Sequence, residues 1–202
     1  MSISSPPPLP RRRGVESEVV TKLLTGLAIV GGVIGLVFVA LRLVGLVRLL
    51  YIPTAGMTPA VTSGDHVMME GVAFLFRKPH RGDIIVFKTA GIELLRPDTI
   101  FAQRVAGEPG DRLRISDGRL YVNGARVSLS NAWGELEYLL PANSGNLVAK
   151  TEVTVQAGEY FVLGDNSTNS FDSRFWGGVP RKNILGRIAF CYWPPQRVGS
   201  VK

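Results

Sequence analysis

Residues Leu23 to Leu41 carry no charged side chain, and Thr25 is the one polar side chain among them. A helix rises ~1.5 Å per residue, so this run spans roughly 28 Å, close to the hydrocarbon thickness of a bilayer. The feature predicts a transmembrane helix over 23–41. It leaves the remainder of a 202-residue chain enough length for one moderate domain. A cleaved secretory signal is the rival reading, because basic residues precede the apolar run. The run is longer than a usual signal core, and Arg42 and Arg48 follow it without a small-residue cleavage site. An uncleaved anchor is therefore expected.

Arg11, Arg12, Arg13 and Lys22 lie before the span, against Arg42 and Arg48 after it. The positive-inside rule then places the N-terminus in the cytoplasm and the rest of the chain outside. The net charge of +7 divides unevenly: residues 1–49 carry six Lys/Arg against two Glu, and residues 50–202 carry seventeen against fourteen acids. Much of the excess flanks the span, where anionic lipid headgroups are the natural partner. No stripe of basic and aromatic residues follows, so nucleic acid is not an expected partner.

Cys191 is the single cysteine, which excludes an intramolecular disulfide, and it lies in the apolar run IAFCYW, where a buried structural thiol is expected. With only His66 and His80 beside it, no zinc site or other metal site is expected.

Three segments organise the chain: a basic, proline-rich tail over 1–22, the span over 23–41, and a mainly β domain over 42–202. SSPPPLPRRR in the tail cannot bury a core. Beyond the span, HVMME, DIIVFK, RLRI, RLYVNG, VTV, EYFVLG and RIAFCYW read as strands, with hairpin turns at SDG and NG. Residues 128–150, rich in Asn, Gly and Pro, read as a looser excursion, either padding or a binding flap.

Three stretches stand out chemically. IPTAGMTPAV (52–61) is a proline-framed loop of small residues, and FAQRVAGEPGDRL (101–113) contains a tight-turn signal. LGDNSTNSFDSRFWG (163–177) packs hydroxyls, two Asp, two Asn and an Arg into fifteen residues. Taken alone, that density fits either a structural loop with an Asp172–Arg174 ion pair or part of a functional site.

In this order, IPTAGMTPAV, SGDHVMME, RGDIIVFK, QRVAGEPGD and GDNSTNSFDSRFWG resemble the bacterial type I signal peptidases over roughly residues 35–195. The resemblance implies a membrane-anchored β-fold serine protease with a Ser/Lys dyad. Such an enzyme needs no cofactor and removes signal peptides after small-x-small residues at the outer face of the cytoplasmic membrane. Pro53, Met57 and Pro59 match the family's first motif, but Gly56 occupies the position of the nucleophilic Ser, and Ala55 replaces a Gly. Gln103 occupies the position of the general base Lys, although Arg104, Gly107, Pro109, Gly110 and Asp111 match around it. By the same resemblance, Thr54 contributes a hydroxyl to the oxyanion hole and Ser170 helps to orient the base. Asp165 pairs with Arg104, and Asp172 with Arg174.

A hydroxyl nucleophile needs an oxygen and a base to take its proton. Glycine supplies no side-chain atom, and a glutamine amide is no base near neutral pH, whereas a desolvated Lys is one. The first reading is therefore a catalytically silent homologue that binds signal peptides or a partner membrane protein, an active signal peptidase among the candidates. The second is an active peptidase with an unorthodox nucleophile, for which Thr54, Thr58 and Lys88 are the nearby groups. A membrane-tethered β module unrelated to proteolysis is the third.

Overall fold

The structure is a computed structural model that describes residues 13–131, 134–139 and 152–201, with the backbone alone for 13–17. The chain divides into two units, residues 1–43 and residues 44–202. The first is one helix, α1 (Arg13–Leu43), of which Glu18–Leu43 is long and apolar enough to cross a membrane. Its helical backbone takes in residues 13–22 as well as the uncharged run, and residues 1–12 of the basic tail lie outside the described residues.

The second unit is mainly β. It opens with β1 (Val47–Tyr51), β2 (His66–Glu70), a single helical turn α2 (Ala73–Phe76), β3 (Ile84–Lys88) and β4 (Ile100–Gly107). Next come β5 (Arg112–Ser116), β6 (Arg119–Val122), β7 (Ala125–Val127), β8 (Ser130–Asn131) and β9 (Gly134–Glu135). It closes with β10 (Val153–Thr154), β11 (Glu159–Leu163), a second helical turn α3 (Ser173–Trp176), β12 (Val179–Pro180), β13 (Ile184–Trp193) and β14 (Gly199–Ser200). The main sheet has the order β1-β2-β13-β3-β4-β11-β12, with β14 added against β13, and all of these neighbours pair antiparallel. A second sheet has the order β10-β5-β6-β7. Of the 128–150 excursion, residues up to Asn131 and 134–139 are described, including the small β8–β9 pair; 132–133 and 140–150 lie outside the description.

Side-chain alternation explains why β3 is an unbroken apolar run. Ile84 and Val86 enter one core cluster with Val61, Val67, Met69 and Ile188. Ile85 and Phe87 enter another with Val105, Tyr160, Val162 and Trp176. A strand covered on both faces needs an apolar residue at every position. A third cluster fills the space between the two sheets, where Leu113, Ile115, Leu120 and Val122 meet Ala106, Phe161 and Leu163. Each such side chain, fully buried, contributes about 1.5–3 kcal/mol. The two predicted turns form as their residues demand, Asp117-Gly118 and Asn123-Gly124 all having positive φ.

Candidate active site

The loop that leaves β1 is fixed from below and from the side. Ile52, Met57, Ala60 and Val61 sink into the core under the main sheet. Its two ends are tied by Ile52 N–H to the Asp65 carbonyl and Gly64 N–H to the Ile52 carbonyl, both at 2.9 Å. Arg197 braces it further: its Nη2 donates to the Pro59 carbonyl at 3.0 Å, and its Nε pairs with buried Asp65 Oδ1 at 2.8 Å.

The 164–177 segment closes over this loop. Asn166 contacts it twice, donating its backbone N–H to the Gly56 carbonyl (3.0 Å) and its side-chain Nδ2 to the Ala55 carbonyl (3.1 Å). Gly164 is required by the approach of Ser170: a Cβ there would lie 2.1 Å from Ser170 Oγ and 2.6 Å from the Gly56 carbonyl. Two buried ion pairs hold the segment. Arg104 meets Asp165 through Nε–Oδ1 and Nη2–Oδ2, both 2.7 Å, and donates Nη1 to the Gly82 carbonyl at 2.8 Å. Arg174 donates to Asp172 Oδ1 (2.7 Å) and Oδ2 (2.8 Å), to Ser167 O (2.7 Å) and Oγ (2.9 Å), and to the Leu139 carbonyl (2.7 Å). Asp172 also accepts from Gly164 N–H at 2.9 Å and caps α3. Buried charges persist when paired and fully hydrogen-bonded in this way.

Between the loop, the first half of β4 and residues 169–171 lies a cavity of about 480 Å³. Thr54, Gly56, Gln103 and Ser170 all line it, so residues spread over more than a hundred positions converge on one space. Gln103 is 95% buried, its Nε2 donates to the Phe171 carbonyl at 2.9 Å, and its Oε1 has no partner among the described residues. Thr54 is exposed at the rim. Among the described residues lining the cavity there is no Lys, Arg, His, Asp or Glu. Thr58 is turned instead to Thr62, with their hydroxyl oxygens 3.1 Å apart, and Lys88 is an exposed residue at the end of β3 that does not line the cavity.

His66 lies edge-on between the Tyr51 and Tyr192 rings, at centroid distances of 5.3 and 5.8 Å. Cys191 is buried; its thiol donates to the Trp193 carbonyl at 3.2 Å, and burial, reinforced by Asp65, pushes its pKa up. Among the described residues no group of His, Cys, Asp and Glu is arranged to hold a metal ion. Asn166, Asp65 and Arg197 are the bracing residues that sequence reasoning passed over. Asp65 lay inside the quoted SGDHVMME motif, but its partner Arg197 is 132 positions away and carried no local signal.

The fold is thus an antiparallel β domain with a cavity walled by these loops, preceded in the chain by an apolar helix. The chain belongs to the signal peptidase family, peptidase S26, whose model it matches over residues 25–193. It is 36% identical over 150 residues to probable signal peptidase I-2 of Synechocystis, covering 74% of this chain and 64% of that protein. It is 35% identical over 154 residues to signal peptidase I of Leptolyngbya laminosa, covering 75% of this chain and 71% of that protein. Among solved structures, a signal peptidase I from Enterococcus faecalis is similar at 30% identity and a TM-score of 0.40, covering 55% of this chain and 97% of that one. The chain thus spans less than two thirds of the length of its Synechocystis relative.

Proposed function

We propose that this chain is a signal peptidase homologue that binds signal peptides at the membrane surface without cleaving them. One observation carries the reading: the cavity is walled by Gly56 and Gln103 and, among the described residues, by no basic side chain. In the family resemblance these two positions belong to the nucleophile and its base. Gly56 offers no oxygen to attack a carbonyl, and Gln103 has no lone pair basic enough to take a proton near neutral pH. Thr54 and Ser170 keep their hydroxyls on the same walls, which supports retention of a groove for an extended peptide with small side chains. The roles of Arg104, Asp165, Asp172 and Arg174 are structural in this reading.

The same proposal assigns 1–22 to a cytoplasmic tail, 23–41 to a single span of the cytoplasmic membrane, and 42–202 to an extracytoplasmic domain. Its ligands are signal peptides and the bilayer, with an active signal peptidase or another membrane protein as a further partner. The competing reading, cleavage by an unorthodox nucleophile, draws on the exposed hydroxyl of Thr54 at the cavity rim. It lacks a base: Lys88 lies outside the cavity wall, and misplacement by ~1 Å can cost ~100-fold.

The test is incubation of the purified full chain with a preprotein bearing an Ala-x-Ala site, with mass spectrometry of the products and a parallel binding measurement on the signal peptide. Binding with an intact preprotein is the expected result. Cleavage at the Ala-x-Ala site overturns silence, and absence of binding overturns the peptide reading.

A further inference from the structure

The helical turn α2 carries an apolar tip that no described residue of the domain covers. Phe76 is 86% exposed and Leu75 62%, side by side. The tip is not a frayed end. Phe74 points inward against the Ile85–Phe87–Trp176 core, between the guanidinium groups of Arg77 and Arg181 at 5.2 and 5.6 Å from its ring centre. Ala73 N–H donates to Glu70 Oε2 at 3.0 Å, and Arg77 grips Asp83 with two bonds of 2.6 and 2.9 Å. Two large apolar side chains are thus held out into solvent by a firmly fixed base.

The surroundings are basic. Arg77, Lys78, Arg181, Lys182 and Arg187 lie on the segments at this end of the sheet, against Glu70, Asp83 and Glu159, the last on β11 opposite Pro180. Five cations thus face three acids, and two of the acids are already engaged, Glu70 by Arg187 at 2.6 Å and Asp83 by Arg77. Lys78, Arg181 and Lys182 form no ion pair among the described residues, and the two lysines are exposed. The same end of the sheet is where the chain enters the β domain. The Leu46 carbonyl, three residues after the last helical residue Leu43, accepts from Gly71 N–H at 2.7 Å, and Val47 pairs with Glu70.

We propose that Leu75 and Phe76 are an interfacial foot that the β domain sets into an anionic lipid bilayer, with Lys78, Arg181 and Lys182 on the headgroup phosphates. Apolar side chains ringed by cations are matched by acyl chains beneath a negative surface, and each contributes where the other permits approach. A protein partner fits less well, because Leu75 and Phe76 project from a convex single turn rather than lining a groove. The inference rests on the membrane reading of α1.

The experiment uses the full chain with Cys191→Ala, carrying a single nitroxide label at Leu75→Cys, Val30→Cys or Asp117→Cys, in nanodiscs of phosphatidylglycerol or of phosphatidylcholine. Collision with oxygen and with a nickel chelate reports lipid or water at each site. At Val30, oxygen collisions should dominate in both lipids; at Asp117, nickel collisions should dominate in both. At Leu75 oxygen should exceed nickel severalfold in phosphatidylglycerol and fall back in phosphatidylcholine. Lys78→Glu with Lys182→Glu should return the Leu75 label to water in either lipid. A water-exposed Leu75 label in phosphatidylglycerol overturns the foot, as does a label shielded from both reagents, which would indicate a protein partner. Equal immersion in the two lipids overturns the anionic assignment. A water-exposed Val30 label overturns the anchor reading separately.

Discussion

The Cβ that Gly56 lacks would stand 3.9 Å from Ser170 Oγ and 3.4 Å from the Asn169 carbonyl oxygen, at contact but not in collision. Gly56→Ser should therefore fold with a stability change within about 1 kcal/mol, as for a tolerated substitution. It should remain unable to cleave an Ala-x-Ala preprotein, because Gln103 cannot take the new hydroxyl's proton. Thermal melting and product mass spectrometry check the two halves of this prediction.

Adding Gln103→Lys to Gly56→Ser should yield measurable cleavage. A lysine at this 95% buried position would be desolvated, which lowers its pKa towards the range of a base. Glu108 does not line the cavity and instead accepts from Arg81 N–H at 2.9 Å beside His80, so it leaves the new lysine unopposed. A double variant that binds peptide yet shows no product would mean that the remaining walls no longer present the scissile bond.

Arg174→Ala and Asp172→Ala should each cost about 3–5 kcal/mol, the penalty for stranding one member of a buried pair. Both side chains are at least 99% buried, and Arg174 donates to acceptors on Asp172, Ser167 and Leu139. A melting temperature within a degree of the parent for either variant would contradict the pairing.

Tyr138 presents the opposite case, a buried hydroxyl without a partner among the described residues. Burial, with Asp165 adding to it, pushes the phenol well above its ordinary range. As pH rises through ~10 the unfolded chain loses this proton while the folded chain keeps it, so the unfolded state binds fewer protons and stability falls. Tyr138→Phe should remove that part of the alkaline loss. At neutral pH it should be neutral or stabilising by about 1 kcal/mol, since no bond is sacrificed. Denaturant titrations at pH 7 and above pH 10 read both effects.

The proposed orientation, with the N-terminal tail cytoplasmic, predicts that protease added to spheroplasts degrades the β domain and spares the segment before the span. Full protection of the β domain would reverse the orientation inferred from Arg11, Arg12 and Arg13.

Much of the fold was legible where one physical rule dominated. HVMME, DIIVFK and EYFVLG were readable as strands because burial imposes apolar character on them. β1 escaped because VRLLY follows so closely on the apolar helix that its own pattern is submerged. β4 escaped because it buries Gln103 and Arg104, whose polarity is compensated by residues 68 and 61 positions away. The positions of Thr54, Gly56, Gln103 and Ser170 in one cavity were implied by family resemblance, not by any local pattern. The Asn166 tie to Ala55 spans 111 positions, and only the folded chain reveals it.

Both of Asn166's bonds to the loop end on main-chain oxygens, those of Ala55 and Gly56. The contour of the cavity wall is thus stored in peptide groups, which every amino acid shares, and not in whatever side chain position 56 carries. Mutation at that position can erase or write chemistry while the mould around it keeps its shape. On the proposed reading, the absence of a nucleophile from such a frame is a difference of content without a difference of form, and for that reason is open to reversal.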